Sequence, residues 1–184
     1  CRDCNNNISV IYPVIEIITA LLLLAGFFKF GLTFDFLVYF VLAPTLVIIT
    51  VVDIKHQVIP DVITLPGLAL GLAAGSYSIG YMNSFMGFLL GCGLFYLLAI
   101  LSNGGMGGGD IKYIAAAGAF VGWQKVLLII FIGAFLGTFV GLFQIGVQKK
   151  TRKNLIPFGP LLAVATLITL FYGNLLIKLY IDNL

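Results

Sequence analysis

The sequence predicts an all-α protein: a polytopic membrane bundle of about seven spanning helices, one of them short, with its N-terminus in the cytoplasm. Three observations lead there. Hydrophobic residues fill 61% of the 184 positions and charged residues 9%, with a mean hydropathy of +1.14, and no soluble fold hides that much apolar surface. The apolar residues come in runs of the roughly 20 residues a bilayer requires, separated by charges, Pro and Gly. The cations gather on alternate connections between those runs.

Taken in order, the first run covers about Val10 to Phe30, the second about Phe36 to Ile54, the third about Val62 to Tyr81 and the fourth about Phe85 to Leu101. Beyond the Gly-rich stretch 104–109 comes a short segment, about Ile111 to Val121, that reads as a short span or half-span. A long run follows from about Val126 to Val147. The last, about Leu155 to Ile181, is longer than a bilayer requires, so it tilts or opens with a non-helical Ile156-Pro157-Phe158-Gly159-Pro160. Counting the short segment as a span puts Arg2, Lys55, Lys112, Lys149, Lys150, Arg152 and Lys153 on one side, seven of the ten cations. Lys29, Lys125 and Lys178 fall on the other, which sets the C-terminus outside.

Ten Lys and Arg against seven Asp and Glu leave a net charge of +3, too weak a balance for a nucleic-acid partner. Membrane lipid is the partner that composition implies. Of three cysteines, two stand in Cys1-Arg2-Asp3-Cys4, a spacing that reads as half a zinc site or a thiol pair. Position 1 is not Met, and the expectation is a piece of a longer product.

Ionisable groups at membrane depth mark function by default, and Glu16, Asp53, Asp61 and Asp110 are the acids so placed. Asp53 closes the second run at its cytoplasmic end and Asp110 opens the short fifth segment at the same expected depth. A close carboxylate pair cannot ionise twice at neutral pH, so it shares a proton and serves as acid and base together. That is the equipment for activating water on a peptide bond. Two plainer readings stand beside it: Asp53 as an interfacial acid near Lys55, and Asp110 as a helix cap after glycines.

The glycines of Gly104-Gly105-Met106-Gly107-Gly108-Gly109 do not form a phosphate loop, since Tyr113 rather than Ser or Thr follows Lys112. They let a second backbone come close. A substrate opened out of helical form could pair with them, the alternative being a flexible connection. Lys55 and Lys112 each sit two residues after an acid, where they tune its charge or snorkel to lipid phosphate.

These residues, taken together, resemble a known family. Asp53-Ile54-Lys55 with Val58-Ile59-Pro60-Asp61, then Gly107-Gly108-Gly109-Asp110-Ile111-Lys112, the run Ala115-Ala116-Ala117-Gly118-Ala119 to Gly122-Trp123, and Ile156-Pro157-Phe158-Gly159-Pro160 match type IV prepilin peptidases, which are GxGD-type aspartyl proteases of membranes. At the front, Cys1-Arg2-Asp3-Cys4 with Ile8-Ser9 and Tyr12-Pro13-Val14-Ile15-Glu16 is similar to the join between that family's cytoplasmic domain and its next span. Presenilin-like proteases share GxGD but carry Tyr-Asp and Pro-Ala-Leu elements, where this chain has Val52-Asp53 and Pro-Phe-Gly-Pro.

The resemblance implies a bacterial inner-membrane, multi-pass enzyme that removes the basic leader from type IV prepilins and pseudopilins at the cytoplasmic face. Asp53 and Asp110 would be its catalytic pair, with Gly107, Gly108, Gly109, Lys55 and Lys112 as active-site loop and substrate-binding residues. Proteolysis would need no cofactor. Residues 1–9 would be the remnant of a cytoplasmic zinc-binding and methyltransferase domain, and residues 10–184 the transmembrane peptidase domain. Many family members also methylate the new N-terminal residue with S-adenosylmethionine and bind zinc through two CxxC pairs. Here only Cys1 and Cys4 are present, so zinc and methylation are expected of the full-length parent. Read from residues alone, a proton or ion carrier using the same two acids, and a non-catalytic assembly subunit, are the competing classes. The carrier predicts paired repeats with broken helices; the sequence shows no such repeat, although the short fifth segment is a weak point in its favour.

Overall fold

The computed structural model describes residues 9–102, 106–146 and 157–183. Among the described residues seven α-helices follow one another and no strand occurs: α1 (Ile11–Phe30), α2 (Phe34–His56), α3 (Asp61–Gly75), α4 (Tyr81–Leu101), α5 (Gly108–Val121), α6 (Trp123–Gly146) and α7 (Gly159–Asp182). Each expected segment is a helix, with ends moved for local reasons. The α2 helix starts early because the Thr33 hydroxyl accepts the Phe36 amide at 3.4 Å, an N-terminal cap. Residues 76–80 widen into a π turn, and Gly80 at φ 87° ends the third segment and hands the chain to α4 at Tyr81. The seventh helix begins only at Gly159, leaving Pro157 and Phe158 non-helical, with Pro160 in the first turn where its missing N–H costs nothing.

Five stretches among the described residues are long and apolar enough to cross a bilayer: α1, α2, the 41 residues of Asp61–Leu101, Trp123–Gln144 and α7. The chain is an integral membrane protein. The α5 helix is different. Its 14 residues rise about 21 Å, short of the roughly 30 Å of hydrocarbon a span must cover. Protein encloses it instead, and every residue from Tyr113 to Val121 is buried.

The chain divides into two compact units, residues 1–47 and 48–184. The residue-9 boundary expected from the sequence adjoins residues 1–8, which lie outside the described residues. In the first unit Tyr39 is buried, lays its ring on Gly26 and donates its hydroxyl to the Leu22 carbonyl at 2.8 Å. In the second, α3 and α4 lean their small residues on α5. A Cβ added at Gly75 or Gly87 would strike the carbonyl oxygens of Ala119 and Gly118, and Ser84 donates to that Ala119 oxygen at 2.7 Å. Small residues let backbones close to this distance where lipid offers no hydrophobic drive. On its other side α5 is tied to α7, where the Tyr113 hydroxyl and Thr166 Oγ1 lie 2.7 Å apart. Residues 113–119 of α5, which follow the turn that carries Asp110, are thereby held from both flanks.

Candidate active site

Asp53 lies in the last turn of α2 and is 5% exposed. An acid so enclosed needs a donor, and it has one from the far end of the chain: the Gly159 amide, in the first turn of α7, donates to Asp53 Oδ2 at 2.8 Å. Asp110 sits in the first turn of α5, half-buried, with its own amide donating to the Gly107 carbonyl at 3.1 Å. Burial, and after it the charge of Asp53, push the Asp110 carboxyl up to about 6, against a hydrogen bond from the Gly107 backbone that pulls it down. The two acids, far apart in sequence, therefore act on each other across the ends of α2 and α5. Both belong to the second compact unit.

The glycine strip is used in two ways. A Cβ added at Gly109 would lie 2.9 Å from Ile59 Cβ and 3.2 Å from the Ile59 nitrogen and oxygen, so the backbone that Gly109 admits is the chain's own α2–α3 connection. Gly108 is exposed and an added Cβ there meets nothing within 4 Å. Gly107 is exposed as well, and its added Cβ would come within 3.3 Å of Asp110 Oδ2. Gly104 and Gly105 lie outside the described residues.

Lys112 is paired with Asp61. Lys112 Nζ donates to both carboxylate oxygens of Asp61 at 2.7 Å, joining the first turn of α5 to that of α3, with the side chains 43% and 54% exposed. Lys55 is exposed beside His56 at the end of α2. Asp61 was visible as an acid at membrane depth, but nothing local paired it with a lysine 51 residues away. Gly159 was visible inside the Pro-Phe-Gly-Pro element, and its signal is a glycine followed by a residue that cannot donate.

Beside the pair opens an apolar cavity of about 380 Å³ whose walls include Phe95, Met106, Ala134, Gly137 and Phe158. Met106 and Phe158 immediately precede Gly107 and Gly159, so the cavity adjoins the backbone next to both acids. Cys1 and Cys4 lie outside the described residues, and among the described residues no cluster of three His, Cys, Asp or Glu side chains could hold a metal. The arrangement offers a partly protonatable carboxylate pair, an open glycine backbone and an apolar recess.

Comparison with known proteins adds the following. The model of the Type IV leader peptidase family matches residues 40–142. The chain is 34% identical over 190 residues to a prepilin leader peptidase/N-methyltransferase of Aeromonas hydrophila, covering 100% of this chain and 66% of that protein. It is 32% identical to the protein of that name from Legionella pneumophila, over 98% of this chain and 66% of the relative. With the Bacillus subtilis protein of the same name the identity is 29%, over 98% of this chain and 74% of the relative. The chain thus spans 66% of the length of the Aeromonas and Legionella relatives. No solved structure matches it.

Proposed function

The chain belongs to the type IV leader peptidase family, and from that premise we propose that it is a GxGD-type aspartyl endopeptidase cutting the leader from type IV prepilins and pseudopilins. Asp53 and Asp110 are the catalytic pair of this proposal. The observation that supports it most is the placement of Asp53 in the last turn of α2 and Asp110 in the first turn of α5, within the residues the family model matches. Beside them runs an exposed glycine backbone, where an added Cβ at Gly107 would lie 3.3 Å from Asp110 Oδ2.

The chemistry follows from the pair. One carboxylate accepts a proton from water as the water oxygen bonds to the scissile carbonyl carbon, and the other, protonated, donates to the carbonyl oxygen. A tetrahedral intermediate results. On its collapse a proton passes to the amide nitrogen, the C–N bond breaks, and the new carboxyl and amino ends leave. The single shared proton belongs to the pair, and the two side chains exchange roles through the cycle. A helical peptide bond is closed to this attack by its own hydrogen bonds, and the bare backbone at Gly107 and Gly108 offers an opened substrate strand an alternative partner.

The proposal places the chain in the bacterial inner membrane with the site facing the cytoplasm. The substrate's apolar helix lies against the bundle and its basic leader extends into the cytoplasm, so the cut falls at the membrane surface. Zinc and S-adenosylmethionine would serve methylation of the new N-terminus, a step separate from the cut. Cys1 and Cys4 supply two thiolates, which do not fill a tetrahedral zinc site, and a carboxylate pair calls for no cofactor. The test is to incubate membranes holding this chain with a prepilin-like substrate and identify both products by mass spectrometry. A single cut between the basic leader and the apolar segment is expected. Cuts scattered through the apolar segment, or none, would overturn the assignment.

A further inference from the structure

The first turn of α7 leaves amides without intrahelical partners, as every helix does. Its N-cap residue Phe158 makes no side-chain cap, and Pro157 and Pro160 have no N–H to offer. The Gly159 amide is donated to Asp53 Oδ2 at 2.8 Å, buried, across 106 residues of sequence. The same position is barred to any side chain. A Cβ on residue 159 would lie 2.7 Å from Asp53 Oδ2, 3.0 Å from Cγ and 3.1 Å from Cβ, distances that real Cβ atoms avoid.

Resting on the peptidase reading, we infer that Gly159 is the positioning residue of Asp53: its N–H holds one carboxylate oxygen, and its lack of a side chain keeps the space that carboxylate occupies. A carboxylate at the end of a helix has two side-chain torsions to fix. With Oδ2 engaged by Gly159, the carboxylate plane is set and Oδ1 is the oxygen left to the water and to Asp110. The partly positive N-terminus of α7 reinforces the hold on a negative group. The Pro-Phe-Gly-Pro element thus does something for the reaction without touching substrate. It delivers one buried amide, followed by a proline that has none, to one of the two acids.

The test compares the parent, Gly159→Ala and a control in the same helix, Gly173→Ala, whose added methyl meets Thr169 Cγ2 at 3.1 Å and no acid. A methyl at 159 must displace the carboxylate by several tenths of an ångström, and misplacement on the scale of 1 Å costs about 10²-fold in rate. The expected result is a kcat lowered by roughly 10- to 100-fold with KM within about twofold, while Gly173→Ala keeps the parental kcat. A second readout needs no turnover. In protein carrying ¹³C-carboxyl aspartate, the infrared carboxylate band that vanishes in Asp53→Asn should shift in Gly159→Ala and stay in place in Gly173→Ala. An unmoved Asp53 band in folded Gly159→Ala overturns the inference, as does a kcat equal to the control's. If the parent does not cleave but the band shifts, the positioning stands and the peptidase reading falls. If Gly159→Ala does not accumulate, the double variant Asp53→Ala/Gly159→Ala decides, because the atoms that the methyl strikes most closely are gone. Restored accumulation supports the inference, and a double variant no better than the single refutes it.

Discussion

Replacing Asp110 by Asn should stabilise the protein at neutral pH while removing its activity. Burial and the Asp53 charge raise the carboxyl of Asp110 from an ordinary 3.8 to about 6, a rise that corresponds to roughly 3 kcal/mol. Solvent screening of a half-buried group reduces it, so about 1–3 kcal/mol is the working range. The sign follows from proton counting. The folded value lies above the unfolded one, so between about pH 4 and 6 the folded protein holds a proton that the unfolded chain has released, and stability falls as pH rises through that window. Asn carries no charge at either pH and is exempt from the fall. Thermal unfolding in detergent micelles from pH 4 to 8 should therefore show parent and Asp110→Asn level at the acid end. By pH 7.5 the variant should be ahead by about 1–3 kcal/mol. Parallel pH profiles, or a variant less stable than the parent at pH 7.5, would refute the reasoning.

Three other outcomes follow from the same contacts. Asp53→Asn removes the charge that helps raise Asp110, so the pH-dependent fall in stability should shrink and move towards acid without vanishing, since burial is the larger cause; pH-dependent unfolding of that variant checks it. Lys112→Met should cost less than about 1 kcal/mol, and less again in high salt, because its ion pair with Asp61 is half exposed; chemical unfolding at two ionic strengths measures this. Gly87→Val should cost about 1–3 kcal/mol or prevent accumulation, since its side chain would meet the Gly118 carbonyl; expression and unfolding temperature report it.

The helices were legible because lipid imposes a simple rule: apolar runs of one length, closed by charges and glycines. That rule located α1 to α7 and put Asp53 and Asp110 at the ends of apolar segments. It ended the third run at about Tyr81, where the structure breaks the chain at Gly80 with its positive φ, but it gave no sign that residues 76–80 widen into a π turn. It also could not say that α5 is enclosed by protein, although nine consecutive small or apolar residues from Tyr113 to Val121 are what enclosure permits. The partners of the acids were less legible. Lys112 stands two residues after Asp110, yet its side chain reaches Asp61, and the amide on Asp53 comes from Gly159. Such pairings are set by how α3, α5 and α7 pack, and no local pattern records a contact across 51 or 106 residues. The glycines before Asp110 admitted a backbone as their composition suggests, but at Gly109 that backbone is the chain's own Ile59.

Cleavage of a prepilin-like substrate by membranes holding the parent chain, Asp53→Asn or Asp110→Asn, at matched expression, tests the central claim most directly. The account predicts that the parent cuts and that each substitution alone abolishes cutting, because either half of a carboxylate pair without the other cannot both activate water and protonate the carbonyl. Parental rates in either variant would contradict it and leave that Asp an interfacial or capping residue.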